Sequence, residues 1–154
     1  DYVLENEFER ASRYRQELSL VMIDMDFLKR INDEMGHQAG DSAIRQTGAI
    51  LAKQSRRVDI ATRYGGEEFA VILPQTSTLG ARAAAENWRR AINQCLVGDL
   101  RLSASIGIAT YPNHANGAEC LVRAADEALY RAKSEGRNRV REAVVMEMEA
   151  KQGR

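Results

Sequence analysis

Two strand-forming runs separated by a Gly-Gly pair constrain the fold of this chain more than any other feature. DIATRY (59–64) and EEFAVIL (67–73) are rich in residues that favour strands, and Gly65 and Gly66 lie between them. Such a two-residue linker predicts a tight antiparallel hairpin, and Pro74 ends the second run. The sheet that contains this hairpin therefore cannot be purely parallel.

Hydrophobic periodicity predicts the remaining elements. Apolar runs predict buried strands at SLVMID (19–24) and LSASIGIATY (102–111). The first predicted helices cover residues 3–16, a short segment that begins near Phe27 and stops at Gly36, and about residues 41–54. A long helix follows, capped by Thr76 and Ser77 and with Leu79 facing inward. The last predicted helix covers 119–133, with Gly136 as its C′ residue. Strands joined both by a hairpin and by helices predict an α/β domain with a mixed central β-sheet flanked by helices.

Size and charge exclude several classes of protein. The 154 residues suit one domain, and 22 basic residues balance 22 acidic ones. A chain without net charge has no overall field to hold a nucleic-acid backbone, so we expect no nucleic-acid partner. No apolar run reaches membrane-spanning length, so we expect no membrane contact by this domain. Cys95 and Cys120 lack metal-ligand spacing and are interpreted as small core residues in a reducing compartment.

Two acidic pairs are candidates for a metal site. Asp24-Met25-Asp26 ends a buried strand, where an unpaired carboxylate is strongly disfavoured, so a cationic group should meet it. Glu67 and Glu68 leave the turn of the hairpin. If the two strands are neighbours, their carboxylates converge as the oxygen ligands that Mg²⁺ prefers beside phosphates. Spacing alone leaves open that these residues only end a strand, cap a helix and face solvent.

Candidate phosphate-binding residues surround the first acidic pair. The chain has no GxxxxGK[ST] motif, so it is not a P-loop protein. The helix that begins near Phe27 offers free backbone amides, and Lys29 lies in its first turn. Lys133 and Arg137, four residues apart around a helix end, are further candidates for binding a triphosphate. The alternative for this pair is a solvated helix face.

Candidates for base recognition and for nucleophilic catalysis are fewer. Asn32 and Asp41 can read a base edge through an amide and a carboxylate, or serve only as turn and cap residues. His37 and His114 have no partners at metal-ligand or triad spacing. The sequence therefore contains no Ser/His/Asp or Cys/His nucleophile set.

Four runs in order resemble the GGDEF family of diguanylate cyclases. They are MIDMDFLKRINDEMGHQAGD (22–41), RRVDIATRYGGEEFAVILP (56–74), SIGIAT (105–110) and ADEALYRAKSEGRNRV (125–140). GGEEF at 65–69 is a frequent variant of the family signature, and the match extends from about residue 8 to 142. The resemblance implies a fold related to nucleotidyl cyclases and polymerase palms. It also implies condensation of two GTP molecules into cyclic di-GMP, with release of two pyrophosphates. Because one site can hold one GTP and the product needs two bonds, we expect a homodimer for catalysis.

The resemblance assigns metal binding and catalysis to the acidic pairs. Asp24 and Glu67, with the Met25 carbonyl, would hold Mg²⁺ (or Mn²⁺), and Asp26 and Glu68 would be supporting acids. Glu67, or a neighbour through the metal, would favour loss of the attacking 3′-hydroxyl proton. The catalytic set implied in this way comprises Gly65, Gly66, Glu67, Glu68 and Asp26, in which the glycines leave room for the ribose and the α-phosphate.

The resemblance also assigns the contacts to GTP. The triphosphate would be held by the amides of Phe27 and Leu28 together with Lys29, Lys133 and Arg137. Asn32 and Asp41 would read guanine, and Arg63 matches the basic residue before the signature.

An Arg-x-x-Asp motif precedes the signature. Arg56 and Asp59 lie at the offset of the family's product-inhibition site, where an arginine fork and a carboxylate would bind cyclic di-GMP. The alternative is an exposed salt bridge. Some members carry a second inhibitory arginine where this chain has Asn87.

Three functional hypotheses remain at this point. The first is an active cyclase with product feedback, the second a catalytically inactive GGDEF module that binds GTP or cyclic di-GMP as a regulator, and the third a polymerase-like enzyme. The complete signature favours the first over the second. The family's DxLTGLxNRR segment is absent, so we expect a fragment of a longer sensor protein. We expect a cytoplasmic location for this domain, with the full-length protein free to be membrane-tethered.

Overall fold

The computed structural model describes residues 2–146, which form five helices and seven strands. The sequence also predicts that the charged tail after about residue 143 frays, and residues 147–154 of that tail lie outside the described part. The helices are α1 (Tyr2–Tyr14), α2 (Leu28–Met35), α3 (His37–Gln54), α4 (Thr78–Asn93) and α5 (Ala118–Ser134). The strands are β1 (Leu18–Met25), β2 (Ile60–Arg63), β3 (Glu68–Pro74), β4 (Leu96–Val97), β5 (Leu100–Arg101), β6 (Ala104–Tyr111) and β7 (Val140–Glu142).

The five-stranded sheet has the order β2-β3-β1-β6-β7. Strand β1 pairs antiparallel with both β3 and β6, and β7 pairs parallel with β6. Every residue of β1 is buried, as expected for a central strand covered on both faces. The predicted mixed sheet flanked by helices is confirmed.

The two faces of the sheet carry separate cores. Because side chains alternate along a strand, Val21 and Ile23 point to one face and Leu20 and Met22 to the other. Helices α2, α3 and α4 cover the first face, where Trp88 is fully buried. Helices α1 and α5 cover the second. The carboxyl end of β1 therefore emerges between helices from both layers.

Helix α5 lies directly on β6. A Cβ atom at Gly107 would collide with the backbone of α5 at Ala125 and Leu129, so only glycine permits this close approach. Beyond Ser134 the helix closes with a Schellman turn, in which Gly136 has φ +126° and Arg137 N–H donates to the Ala132 carbonyl at 2.9 Å. Gly136 is thus the C′ residue that the sequence predicts.

The signature hairpin differs from its prediction. Arg63 pairs with Phe69, and Tyr64 N–H donates to the Glu68 carbonyl at 2.8 Å, so the loop contains three residues (65–67) rather than two. The positive φ of a type I′ turn is absent at both Gly65 and Gly66. A longer loop removes the conformational demand for glycine.

Several other expectations about local structure were wrong. Helix α3 begins at His37, not near Asp41, because the chain turns sharply at Gly36, where φ is +91°. Leu79 is 78% exposed, since it lies on the outer side of the first turn of α4. Cys120 is exposed on α5, so only Cys95 is partly buried. Strands β4, β5 and β7, of two or three residues, are too short to produce a periodic pattern.

Candidate active site

The structure brings the two acidic pairs together at one end of the sheet. Asp24 lies opposite Glu68 in the β1–β3 register, and Met25 N–H donates to the Glu67 carbonyl at 3.1 Å. Directly opposed residues on antiparallel strands have Cβ atoms about 5 Å apart. The carboxylates of both pairs therefore belong to one site.

Lysine and arginine from α5 and the turn that follows it meet the acids of β1. Asp24 is 3% exposed and pairs with Lys133 Nζ. Arg137 Nη1 lies 3.9 Å from Asp26 Oδ1. The buried acids thus have the cationic partners that desolvation requires.

Asp26 is positioned differently from the other acids. Its side chain is fully buried, and it accepts hydrogen bonds from Ser103 Oγ and Ser105 Oγ, each at 2.7 Å, and from Asn138 N–H at 3.0 Å. Each oxygen is thereby bonded to the protein's own groups. This geometry favours a positioning role for Asp26 over direct contact with a substrate.

Glu67 and Glu68 face the site with raised affinity for protons. Burial, followed by the negative charge of Asp24, raises the pKa of both carboxyls above the ordinary value, and Lys133 opposes the shift. Like charges are thus gathered in excess of the nearby cations.

The oxygen atoms at this end of the sheet are of the chemical type that binds divalent cations. The Asp24 and Glu67 carboxylates and the Met25 carbonyl are hard oxygen ligands of the kind that Mg²⁺ binds. Among residues 2–146 there is no group of three or more His, Cys, Asp or Glu side chains already arranged to hold a metal ion. Since Lys133 pairs with Asp24 through Oδ2, a cation bound at that oxygen would replace the ammonium group.

Two adjoining grooves open beside the acids. The first, of about 520 Å³, is lined by Asp24 and Glu67 and by the cationic side chains of Lys29, Lys133 and Arg137. Arg30, Asp33 and Glu34 also line it, and the sequence analysis did not include them. Its four cationic side chains make this groove suitable for a polyphosphate. We call it the phosphate groove.

The N-terminus of α2 forms part of the phosphate groove. Phe27 precedes the helix with a left-handed backbone (φ +59°), and its ring lies 5.0 Å from the Arg137 guanidinium carbon. Ile31 N–H donates to the Phe27 carbonyl, so the amides of the first turn have no helical acceptor before them. Phe27, Leu28 and Lys29, which are predicted to bind phosphate, all line this groove.

The second groove, also of about 520 Å³, contains the predicted base-reading pair. Asn32, Asp41, Gly66 and Glu67 line it, and it shares Leu28 and Glu67 with the phosphate groove. The Asn32 side chain lies so close to α3 that a Cβ atom at Gly40 would collide with its amide. Gly40 therefore allows Asn32 to reach the side of α3 that carries Asp41. We call this space the base groove.

The signature glycines are not required by contacts within the protein. A Cβ at Gly66 would meet no atom within 4 Å, and one at Gly65 would make only ordinary contact with Glu68. Arg63 donates to the carbonyls of Gly65 at 3.2 Å and Gly66 at 2.8 Å, which fixes the loop. The space over the loop is open on the groove side.

Asp126 is a further acid that the sequence analysis missed. Burial raises the pKa of Asp126, while its charge contributes to the raised pKa of Glu68 and Lys133 opposes the shift at both. The available signal was its i, i+7 spacing from Lys133, which places both residues on one side of α5.

Arg56 and Asp59 lie at the opposite end of β3. Arg56 Nη2 is 2.8 Å from Asp59 Oδ1, and Arg56 N–H donates to Asp59 Oδ2 at 2.7 Å. The same guanidinium donates to the Pro74 carbonyl at 3.0 Å and to Thr76 Oγ1 at 2.6 Å. Both residues line a cavity of about 350 Å³, and Asn87 lines a neighbouring groove that shares Gln54, Ala84 and Trp88 with it.

Comparison with known proteins identifies the domain. The family model described as "Diguanylate cyclase, GGDEF domain" matches residues 1–139. This chain belongs to the GGDEF family. Diguanylate cyclase A of Treponema denticola is 41% identical over 130 residues, which is 82% of this chain and 35% of that protein. The chain thus spans about a third of the length of this curated relative, and comparable or smaller shares of others.

Solved GGDEF structures share the fold. The active GGEEF domain of a diguanylate cyclase from Vibrio cholerae has a TM-score of 0.88 and 29% identity, with 94% of each chain covered. The GGDEF domain of DgcB from Caulobacter crescentus, in complex with c-di-GMP, has a TM-score of 0.87 and 29% identity. That comparison covers 92% of this chain and 86% of the other. Within the described residues of this GGDEF domain, no helix has the length and apolar character needed to span a bilayer.

Proposed function

We propose that this GGDEF domain is a diguanylate cyclase that condenses two GTP molecules into cyclic di-GMP and two pyrophosphates. The observation that carries the proposal is the meeting of Asp24, Glu67 and Glu68 where the phosphate groove and the base groove join. One nucleotide can lie across both grooves, with its α-phosphate beside the acids. The curated relatives named diguanylate cyclase support the same activity.

The chain's cations and helix terminus bind the triphosphate in this proposal. Lys29, Lys133 and Arg137 neutralise the phosphate charge, and the first amides of α2 donate to phosphate oxygens. A metal held at Asp24 would replace the Lys133 ammonium group there, which would leave Lys133 available to bind phosphate. Catalysis then consists mainly of positioning and of charge stabilisation at phosphorus.

The base groove selects guanine, and the signature loop admits the ribose. Asn32 and Asp41 offer an amide and a carboxylate, the complementary groups for the Watson–Crick edge of guanine. The open space over Gly66 receives the sugar and α-phosphate, which explains a glycine there that the fold itself does not need.

In this proposal the signature acids carry out proton transfer. Glu67, or a neighbour through the metal, would favour loss of the 3′-hydroxyl proton. Asp24, Glu67 and the Met25 carbonyl would hold Mg²⁺ or Mn²⁺, which supplies neutralisation of phosphate charge and acidification of the hydroxyl when bound. Asp26 stays bonded within the protein and holds the end of β1 in place.

The reaction requires two copies of the domain. Each domain offers one pair of grooves, whereas the product contains two equivalent phosphodiester bonds. Two domains must therefore face one another with a GTP in each. We expect specific activity to rise with protein concentration across a hundredfold dilution series. Constant specific activity without an independently measured stable dimer would contradict this arrangement.

Product identification tests the proposed activity. Purified domain incubated with GTP and Mg²⁺ should yield cyclic di-GMP and pyrophosphate, identified by mass spectrometry. GTP binding without turnover, at protein concentrations where the dimer is shown to form, would instead favour an inactive regulatory module.

We also propose that Arg56 and Asp59 bind the product and mediate feedback inhibition. The cavity beside them and the 53% exposure of the Arg56 side chain support this role. The similar DgcB domain, whose structure contains c-di-GMP, shows that a GGDEF domain of this fold binds the product.

A further inference from the structure

Behind the phosphate groove, the turn that follows α5 holds an unusual run of backbone conformations. Gly136, Arg137 and Asn138 have φ of +126°, +64° and +46°. This left-handed region is ordinary for glycine and tolerated by asparagine, but it is disfavoured for arginine. Arg137 keeps it because contacts elsewhere in the protein determine the path of the turn.

Asn138 supplies those contacts on two sides. Its backbone N–H donates to Asp26 Oδ2 at 3.0 Å, and its side-chain oxygen Oδ1 accepts from Arg89 Nη1 at 3.1 Å. Arg89 is in turn oriented by Glu86, which accepts from its Nε at 3.0 Å. The Arg89 side chain is only 21% exposed. The turn is therefore anchored to the end of β1 and to α4 at once.

These anchors determine where Arg137 points. The guanidinium lies over the Phe27 ring and 3.9 Å from Asp26 Oδ1, and it lines the phosphate groove beside Lys133. Neither Arg89 nor Asn138 lines that groove. Without the bond from Arg89, the turn can relax toward ordinary negative φ and carry the Arg137 guanidinium away from the groove.

We propose that Arg89 and Asn138 are positioning residues for polyphosphate binding, because their hydrogen bond holds the turn that aims Arg137. The inference rests on the proposed function only in taking the phosphate groove as the triphosphate site. It adds two residues from outside the groove to the binding apparatus.

The test measures affinity for a GTP analogue with a non-cleavable α,β-methylene bridge, by calorimetry in Mg²⁺ buffer. Arg89→Ala removes the donor, and Asn138→Gly removes the acceptor while tolerating positive φ. Each should weaken binding about fivefold, and the double variant should lose no more than either single one. Arg89→Lys, which keeps a donor, should recover part of the affinity. Arg90→Ala, the exposed neighbour on α4, serves as the matched control and should bind as the parent does.

A second ligand separates positioning from general loosening of the fold. Guanosine, titrated by NMR, lacks phosphates, so its affinity should be the same for the parent and for Arg89→Ala. Equal loss for guanosine and for the analogue would overturn the inference in favour of a purely structural role. Undiminished analogue binding by Arg89→Ala would overturn it while leaving the proposed function intact. Failure of the parent to bind the analogue would overturn both.

Discussion

The two ends of strand β3 hold charge in opposite ways. At the first end, Glu68 faces Asp24 across the sheet, and burial with the charge of Asp24 raises the pKa of Glu68. At the other end, beyond Leu73, Arg56 bonds to Asp59, to the carbonyl of Pro74 at the end of β3 and to Thr76 in the turn before α4. At the first end, the negative charge of the acids exceeds the positive charge of Lys133. At the second end, the charge of Asp59 is balanced by Arg56.

The two ends therefore affect the stability of the folded state in opposite directions. Acids that raise one another's pKa destabilise the folded state near neutral pH, and such groups are retained where chemistry needs them. The Arg56–Asp59 pair instead ties a loop to the end of a strand and so serves the fold as well as any ligand. The predictions below change one end at a time.

The largest expected effect is at the acidic end. Glu67→Gln keeps the size of the side chain but removes its charge and its ability to accept a proton, so turnover should fall by at least about 100-fold, or about 2.7 kcal/mol of barrier. Steady-state pyrophosphate release measures this. Glu119→Gln, an exposed acid on α5, is the matched control. Turnover of Glu67→Gln within a few fold of the parent would remove Glu67 from the catalytic set.

An intermediate effect is expected at the balanced end. Arg56→Ala should weaken cyclic di-GMP binding by at least about tenfold, or about 1.4 kcal/mol, while initial GTP turnover stays nearly unchanged. Calorimetric titration of the product into both proteins measures the affinity, and Arg57→Ala provides a neighbouring exposed control. Equal affinities in parent and Arg56→Ala, or no binding by the parent, would leave Arg56 and Asp59 as structural charges only.

The smallest effects, on thermal stability, should have opposite signs at the two ends. The folded-state pKa of Glu68 is raised above its ordinary value of 4.5, so its ionisation opposes folding once the pH exceeds that value. Glu68→Gln should therefore raise the melting temperature at pH 7 by about 1 °C, a gain that vanishes as the pH falls toward 4.5.

Asp59→Asn tests the other end of β3, where the expected shift in melting temperature has the opposite sign. Its carboxylate is 4% exposed and accepts from the backbone and guanidinium of Arg56, so the amide should lower the melting temperature by several degrees. Scanning calorimetry at pH 7 and pH 5 measures both variants. Shifts of the same sign at pH 7 would contradict the contrast between the two ends.

Sequence reasoning could predict the parts of the site that depend on neighbouring strands. A buried strand ending in Asp24 and a hairpin carrying Glu67 and Glu68 predict converging acids once the strands are adjacent. The sequence also predicted that the buried carboxylates need a cationic partner. The sequence did not identify those cations, and it named Lys133 and Arg137 only as candidates for binding a triphosphate, because nothing local links residues more than 100 positions apart.

Other features had no local signal. The partners of Asp26 are Ser103, Ser105 and Asn138, which lie 77 to 112 residues away, so its burial among hydrogen bonds could not be read from the DxD spacing. The role of Arg89 depends on the same long-range packing. The start of α3 was misplaced because its first turn, His37–Gly40, lacks an apolar stripe.

The close packing of α5 on β6 limits which substitutions this domain tolerates. Because nothing larger than glycine fits at position 107 beneath α5, a single added methyl group must push the helix outward and carry Lys133 with it. Gly107 lies on the sheet, remote from either groove opening, yet its substitution would resemble damage to the phosphate-binding residues. In a genetic screen for loss of activity, substitutions of this buried glycine would be recovered together with substitutions of the charged residues, although glycine has no reactive side chain.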